Sequence, residues 1–324
     1  MPAPEKKTHL NLIIRAAVSL ILVGALVYHI GSGAIISQMR AVPWQTLLIV
    51  IALLAGHVLI ITPRWANILR ALGYQLSSFA LIGSVFLGFL FNQLLPTAVG
   101  GDVIRAWRAQ QLGVPWDVSI HSVLFDRASG VVVVLLGALL LVGFADPMAK
   151  TDDVLWIIGA AVAAAILIVA VLGILRRLTT SFPALKPIQD IYASFEDSFG
   201  RLLRHPWLLF LIGLLALVGQ LIPMAAIALL ARALNVQVAL VDVALISFVA
   251  MLAAAIPISV AGWGVREGAL VYLFGLYGVP PSTSLALSLS FGACLVFASL
   301  PGILPLLAMM FNREKRTVLP ERVD

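Results

Sequence analysis

"NQLLPTAVGGDVIRAWRAQQLG", Asn92 to Gly113, closes one apolar run, Phe79–Leu95, and leads into the next, Val118–Phe144. A plain connection between helices does not need Pro96, the Gly100–Gly101 pair, Asp102, Arg105 and Arg108 within a few residues of each other. Pro96 and the glycine pair are expected to break a helix. A break inside a membrane leaves backbone N–H and C=O groups unpaired, which is tolerated only within protein or beside a wet cavity. A second helix is expected to start near Asp102, a good N-cap residue, and its free N–H groups make a partly positive end. Arg105 and Arg108 lie three residues apart on one face of that helix, with Trp107 beside them. Guanidinium forks in such a place suit an anion such as a phosphate headgroup, and Asn92 stands at the other edge of the break.

Composition places this stretch in a membrane. The 324 residues are 61% hydrophobic and only 11% charged, with mean hydropathy +1.07, whereas soluble domains carry about 25% charged residues. The apolar runs are rich in Leu, Ala, Val and Ile without alternation, so they read as helices and not as a barrel. The net charge of +6 fits Lys and Arg on cytoplasmic loops beside anionic lipid, and nucleic acid is not expected as a partner. The single cysteine, Cys294, rules out a disulfide framework within the chain. Lys6 and Lys7 precede an apolar stretch without a convincing cleavage site, so the N-terminal segment is expected to stay as the first helix.

Six runs are expected to cross the membrane fully: Arg15–Ile30, Thr46–Thr62, Val118–Phe144, Val154–Leu175, Trp207–Ala231 and Ser282–Phe311. Two more, Phe79–Leu95 and Val241–Ile256, run into Pro and Gly-containing polar stretches. Arg64 and Arg70, the basic residues between 176 and 204, and the C-terminal tail are assigned to the cytoplasm, whereas the Asp-rich loop 145–153 faces outward. Arg105 and Arg108 then also lie inside, so Phe79–Leu95 leaves and returns on one side as a re-entrant hairpin. This arrangement puts 16 Lys and Arg inside and 4 outside, with Arg127 in a helix. The alternative makes each ambiguous segment a pair of short spans, ten crossings in all.

The two interrupted segments resemble each other. "PTAVGGDVIR", Pro96 to Arg105, and "PISVAGWGVR", Pro257 to Arg266, each place Pro and Arg nine residues apart. Both continue to "GVP", at Gly113–Pro115 and Gly278–Pro280, and then into a long helix. With three crossings between them the halves have opposite orientation, an arrangement that places substrate at the repeat interface. The expected fold is therefore an all-α polytopic membrane protein with about six full transmembrane helices and two re-entrant hairpins in an inverted repeat. It forms a single integral domain, with repeats at about 10–144 and 154–311. Within the second of these ranges, residues 181–206 are expected to form a cytoplasmic linker with an amphipathic helix, read either as a structural connection or as a regulatory element.

Buried charge marks the candidate site. Asp126 and Arg127 enter the third crossing well past its start, and charges at that depth face a partner or a cavity. Neighbours in sequence point in different directions on a helix. Arg105 is expected to serve Asp126, and Asp102 or Glu267 to serve Arg127. In the second segment Gly262 and Gly264 mark the break, and Arg266 and Glu267 follow it. Asn92, Gly100, Gly101, Asp102, Arg105, Arg108, Asp126, Arg127, Arg266 and Glu267 thus form the expected substrate-binding set. A structural salt bridge fastening the helix to the hairpin is the other reading of Asp126 and Arg127. Gln220 reads as interhelical contact or cavity lining. No His pair with ligand spacing and no DxD pair occurs, so no metal or other cofactor is expected.

The ordered set "NQLLPTAVGGDVIRAWRAQQLG", "VLFDRASG" and "PISVAGWGVREG" resembles the lysylphosphatidylglycerol synthase transmembrane, or flippase-like, family over roughly Leu12 to Phe311. The resemblance implies a multi-pass lipid translocator of the bacterial inner (cytoplasmic) membrane, with both termini cytoplasmic and anionic lipids as partners. Full-length synthases continue into a soluble aminoacyl-transferase domain. Here "FNREKRTVLPERVD" follows the last run, so the resemblance does not extend to synthase activity. No GxxxxGK[ST] stretch for ATP occurs. Other readings are an accessory subunit anchoring a lipid-modifying or glycosyl-transferring enzyme, and an integral lipid enzyme using Asp126 and Glu267 as acid and base. Self-association and an enzyme partner both remain open.

Overall fold

The computed structural model describes residues 5–95, 99–145, 152–181, 186–254 and 262–309. Pro96, Pro257, Lys150 and the basic C-terminal tail lie outside them. The regular structure of the described residues is helical throughout. Helices α1 (Glu5–Ile30) and α2 (Ser32–Ala41) meet at a 91° bend. Helices α3 (Trp44–Gly56) and α4 (Val58–Ala71) run on as one span, Trp44–Ala71. Then come α5 (Ser78–Leu94), α6 (Gly100–Gln111), α7 (Trp116–Val142), α8 (Asp152–Ser181) and α9 (Lys186–Leu203). The chain continues through α10 (Pro206–Ala233), α11 (Leu240–Ala254), α12 (Val265–Gly275) and α13 (Pro281–Ser299), which a short 3-10 turn extends toward Met309.

Among the described residues four helices are long and apolar enough to cross a membrane: Trp44–Ala71, Trp116–Val142, Pro206–Ala233 and Pro281–Met309. The bent α1–α2 pair makes up to five. Most of the surface of these spans faces outward and carries residues such as Leu59, Leu136, Leu140, Trp207 and Leu304. A soluble protein would not expose apolar surface on this scale, and lipid is its natural solvent.

Packing follows helical spacing. Trp65, Ile68 and Leu69 of α4, with Leu72 just past its end, form one buried stripe against α5, α7 and α10. Lipid tails are as apolar as these side chains, so close approach of small residues holds the bundle. At the α5–α6 crossing, a Cβ on Gly101 would lie 2.0 Å from the Gly88 carbonyl oxygen and 2.6 Å from the Asn92 side chain. That contact explains why the opening stretch needs glycine at this position.

The span predicted to end at Thr62 continues to Ala71 through Pro63, which lies inside α4. Arg64 and Arg70, expected in a cytoplasmic loop, are therefore helical, and Arg64 is buried. At the next break the helix begins at Gly100 with Val99 as cap, and Asp102 is its third residue. Both glycines thus lie in the first turn of α6, and no side chain caps that turn from Val99.

Helix α9 ties down the hairpin formed by α5 and α6. Arg201 donates to the Leu72 carbonyl just past α4, and Ser194 donates to Asp117 in the first turn of α7. The start of α5 and the end of α6 therefore lie at the same end of the bundle. The start of α8 and the end of α12 meet elsewhere, where Val154, Leu276 and Tyr277 line one small apolar cavity.

Local geometry recurs along the chain. Helices α4 and α10 both contain a proline and both end in Arg-Ala-Leu followed by a left-handed residue, Gly73 (φ 90°) or Asn235 (φ 56°). Helices α6 and α12 end alike. The N–H of Val114 bonds to Ala109 O and that of Val279 to Phe274 O, across Gly113 (φ 97°) and Gly278 (φ 72°). The next helices start at Pro115 and Pro280, with Ser119 and Ser284 bonding back to those prolines. Counted from the helix starts, the carboxylates Asp102 and Glu267 correspond, both at the third position, whereas Arg105 and Arg266 lie about one turn apart.

Candidate functional site

The sequence-predicted residues fall into two groups. The first is built by α4, α5, α6 and α7. Asp126 lies ten residues into α7, about 15 Å along it from its start. It is only 2% exposed. One of its oxygens, Oδ1, accepts from Arg64 Nε at 2.6 Å, and the other, Oδ2, accepts from Arg105 Nη1 at 2.8 Å. Each arginine thus holds its own carboxylate oxygen. Beside this pair Asp102 accepts from Arg127 Nε, and Arg105 Nη1 lies 3.8 Å from Asp102 Oδ1. Arg105 therefore meets Asp126, and of the two partners expected for Arg127, Asp102 and Glu267, it is Asp102 that the structure places against it.

Arg105 does more than pair with Asp126. Its guanidinium lies over the Trp65 ring, 4.5 Å from the centroid, and the indole N–H donates to Ser122 Oγ at 3.0 Å. The stacking fixes the plane of the fork. Arg105 is buried, yet its Nε and Nη2 have no hydrogen-bond partner among the described residues, and neither has Nε of Arg108 one turn on. Unmet N–H groups of a buried cation are costly. A ligand atom would relieve that cost.

Asn92 and the glycine pair have supporting positions. Asn92 Oδ1 accepts from Gly101 N at 2.9 Å, capping α6 from α5. The first turn of α6 thus receives a side-chain carbonyl partner from Asn92, and the N–H groups of Asp102 and Val103 bond to Val99 O. The open helix end expected to bind an anion is largely occupied by the protein itself.

The second group belongs to α12 and α13. Glu267 is fully buried. It accepts from Gly264 N at 2.6 Å, from Arg266 Nε at 3.1 Å and Nη2, and from Ser288 Oγ at 3.2 Å. Arg266 lies between Trp263 (4.9 Å) and Phe291 (5.3 Å). Gly292 leaves room for both Trp263 and the guanidinium. This group is satisfied and sealed: Gly262 and Gly264 turn the chain into α12 with positive φ, and Glu267 fastens the turn.

Sequence reasoning missed Arg64, Trp65, Ser122, Trp263 and Ser288. Arg64 Nη1 lies in a notch beside Gly130 of α7 and Gly219 of α10, where a Cβ on either would stand at ordinary contact distance, 3.9 or 3.8 Å. His57 and Gln220 line the same notch. Spacing alone gives no sign of this, since the three residues come from three distant segments.

Helix α9 packs its aromatic face on α7. Phe195 and Phe199 stand against Phe125, and His121 Nδ1 lies 2.9 Å from Ser198 Oγ.

The comparison with known proteins agrees with this architecture. Over 323 aligned residues the chain is 22% identical to the UPF0104 membrane protein MJ1595 of Methanocaldococcus jannaschii, covering 92% of this chain and 94% of that one. Residues 12–302, which include both groups of charged residues, match the family described as the lysylphosphatidylglycerol synthase TM region. The chain is a membrane protein and belongs to that family.

Proposed function

We propose that this chain is a lipid translocator, not an enzyme, that moves an anionic phospholipid or lipid-linked molecule between the leaflets of the cytoplasmic membrane, with both termini on the cytoplasmic side. In this reading α8 completes six crossings. The α5–α6 and α11–α12 hairpins are re-entrant and opposed, as halves of an inverted repeat. The matching helix ends of α4, α6, α10 and α12 support the repeat. The contacts of α9 with both Leu72 and Asp117 support the first hairpin.

One observation carries the function: a buried arginine, Arg105, with two N–H groups that have no partner among the described residues. An anionic headgroup would meet that fork while its tails stayed in lipid. Arg108 and Arg127 extend positive charge along the same face, and Arg127 is half exposed. The test is quenching of labelled phosphatidylglycerol in proteoliposomes. Wild type should expose inner-leaflet lipid faster than empty vesicles. Folded Arg105→Ala should lose most of that gain. Equal rates for wild type and empty vesicles would reject the proposal.

A further inference from the structure

We infer that Asp126 is a tethered counter-anion which occupies Arg105 in the ligand-free site and gives it up to a lipid phosphate. This inference rests on the translocator reading above. The argument starts from the division of the carboxylate. Oδ1 is held by Arg64 and Oδ2 by Arg105. An arriving phosphate can take Nη1 of Arg105 and leave Asp126 paired to Arg64, so no buried carboxylate is stranded. The exchange therefore avoids the large penalty of an unpaired internal charge.

The fork is also ready for the exchange. Trp65 stacks on it and holds its plane, and Nε and Nη2 are unpartnered among the described residues. A phosphate presents several oxygens and can accept from two edges of a guanidinium at once, whereas Asp126 engages only one N–H of Arg105. Charge agrees with this. Arg64, Arg105 and Arg127 face Asp126 and Asp102, an excess of one positive charge that a phosphodiester headgroup balances. The second group lacks this feature. Glu267 is bound on both oxygens and capped by Ser288, so it acts as a fixed fastener. Asp126 is then a specificity-determining residue: it keeps the site neutral enough to stay closed and sets the affinity an anion must exceed to enter.

The test is binding of dioctanoyl phosphatidylglycerol to the purified full chain in nanodiscs of zwitterionic lipid. Wild type is expected to bind and Arg105→Ala to bind at least tenfold more weakly. Asp126→Asn, which frees Arg105, is expected to bind about tenfold more tightly than wild type. Should Asp126→Asn not remain folded, Arg64→Gln is compared with the charge-balanced double variant Arg64→Gln/Asp126→Asn, and the double is expected to bind more tightly. Binding by Asp126→Asn or the double that equals or falls below its reference overturns the counter-anion role, even if Arg105→Ala abolishes binding. Wild type that does not bind, or Arg105→Ala that binds as wild type does, rejects the headgroup site itself. The tail-free glycerophosphoglycerol is expected to bind far more weakly, and equal binding overturns the assignment to lipid.

Discussion

Asp126 on α7 and Arg64 on α4, 62 residues apart in sequence, meet at 2.6 Å in the middle of the helix bundle. The guanidinium lies between α4, α7 and α10, in contact with Gly130 and Gly219. It ties the long spans together at the depth where Arg105 reaches in from the hairpin.

Removing one partner leaves a buried charge alone. Arg64→Gln is expected to destabilise the protein by about 3–5 kcal/mol, the usual cost of breaking a buried pair. Replacing both partners, Arg64→Gln/Asp126→Asn, should recover part of that loss. Thermal unfolding followed by fluorescence-detected gel filtration measures both. A double variant no more stable than the worse single one would show that the pair is not coupled.

The α5–α6 crossing tolerates no side chain at its closest point. Gly101→Ala is expected to lower the melting temperature sharply, since overpacking costs about 1–3 kcal/mol or more when backbone must move. Gly24→Ala, with nothing within 4 Å of the added Cβ, should leave it unchanged. Equal melting temperatures for the two variants would contradict the close approach.

Glu267 fixes the start of α12. Ser288→Ala removes one hydrogen bond to a charged group and should cost about 1.5–3 kcal/mol. Glu267→Gln should cost more, because Arg266 loses its counter-charge. The order of the two melting temperatures checks this.

Sidedness is read from cysteine labelling in a Cys294→Ala background. Cysteines at Tyr74 and Leu112 bracket the first hairpin and should both react with a membrane-impermeant maleimide from the cytoplasmic side. Labelling from opposite sides would make α5–α6 a full crossing instead of a re-entrant loop.

Much of this was legible in the sequence because membrane helices announce themselves by length and because charge inside them is rare. The apolar runs and the pairing of Arg105 with Asp126 follow from composition and spacing, whereas the glycine pair reads in sequence as a helix break and gives no sign of the close approach of Gly101 to α5. Arg64 was misread because an arginine after an apolar run looks like a loop residue. Only the continuation of α4 through Pro63 buries it. Arg266 and Glu267 are neighbours in sequence and still pair. They stand at the very start of a helix, where no preceding turn keeps the long arginine side chain from folding back between Trp263 and Phe291. The register of the two hairpins was set by their proline-to-arginine spacing, whereas the folded chain aligns them on Asp102 and Glu267.

The most direct measurement compares the translocation rates of an anionic and a zwitterionic lipid in the same proteoliposomes. We expect wild type to move labelled phosphatidylglycerol faster than labelled phosphatidylcholine, and Arg105→Gln to abolish that preference while the protein stays folded. Equal rates for both lipids in wild type, or a preference that survives Arg105→Gln, would contradict a headgroup site at Arg105.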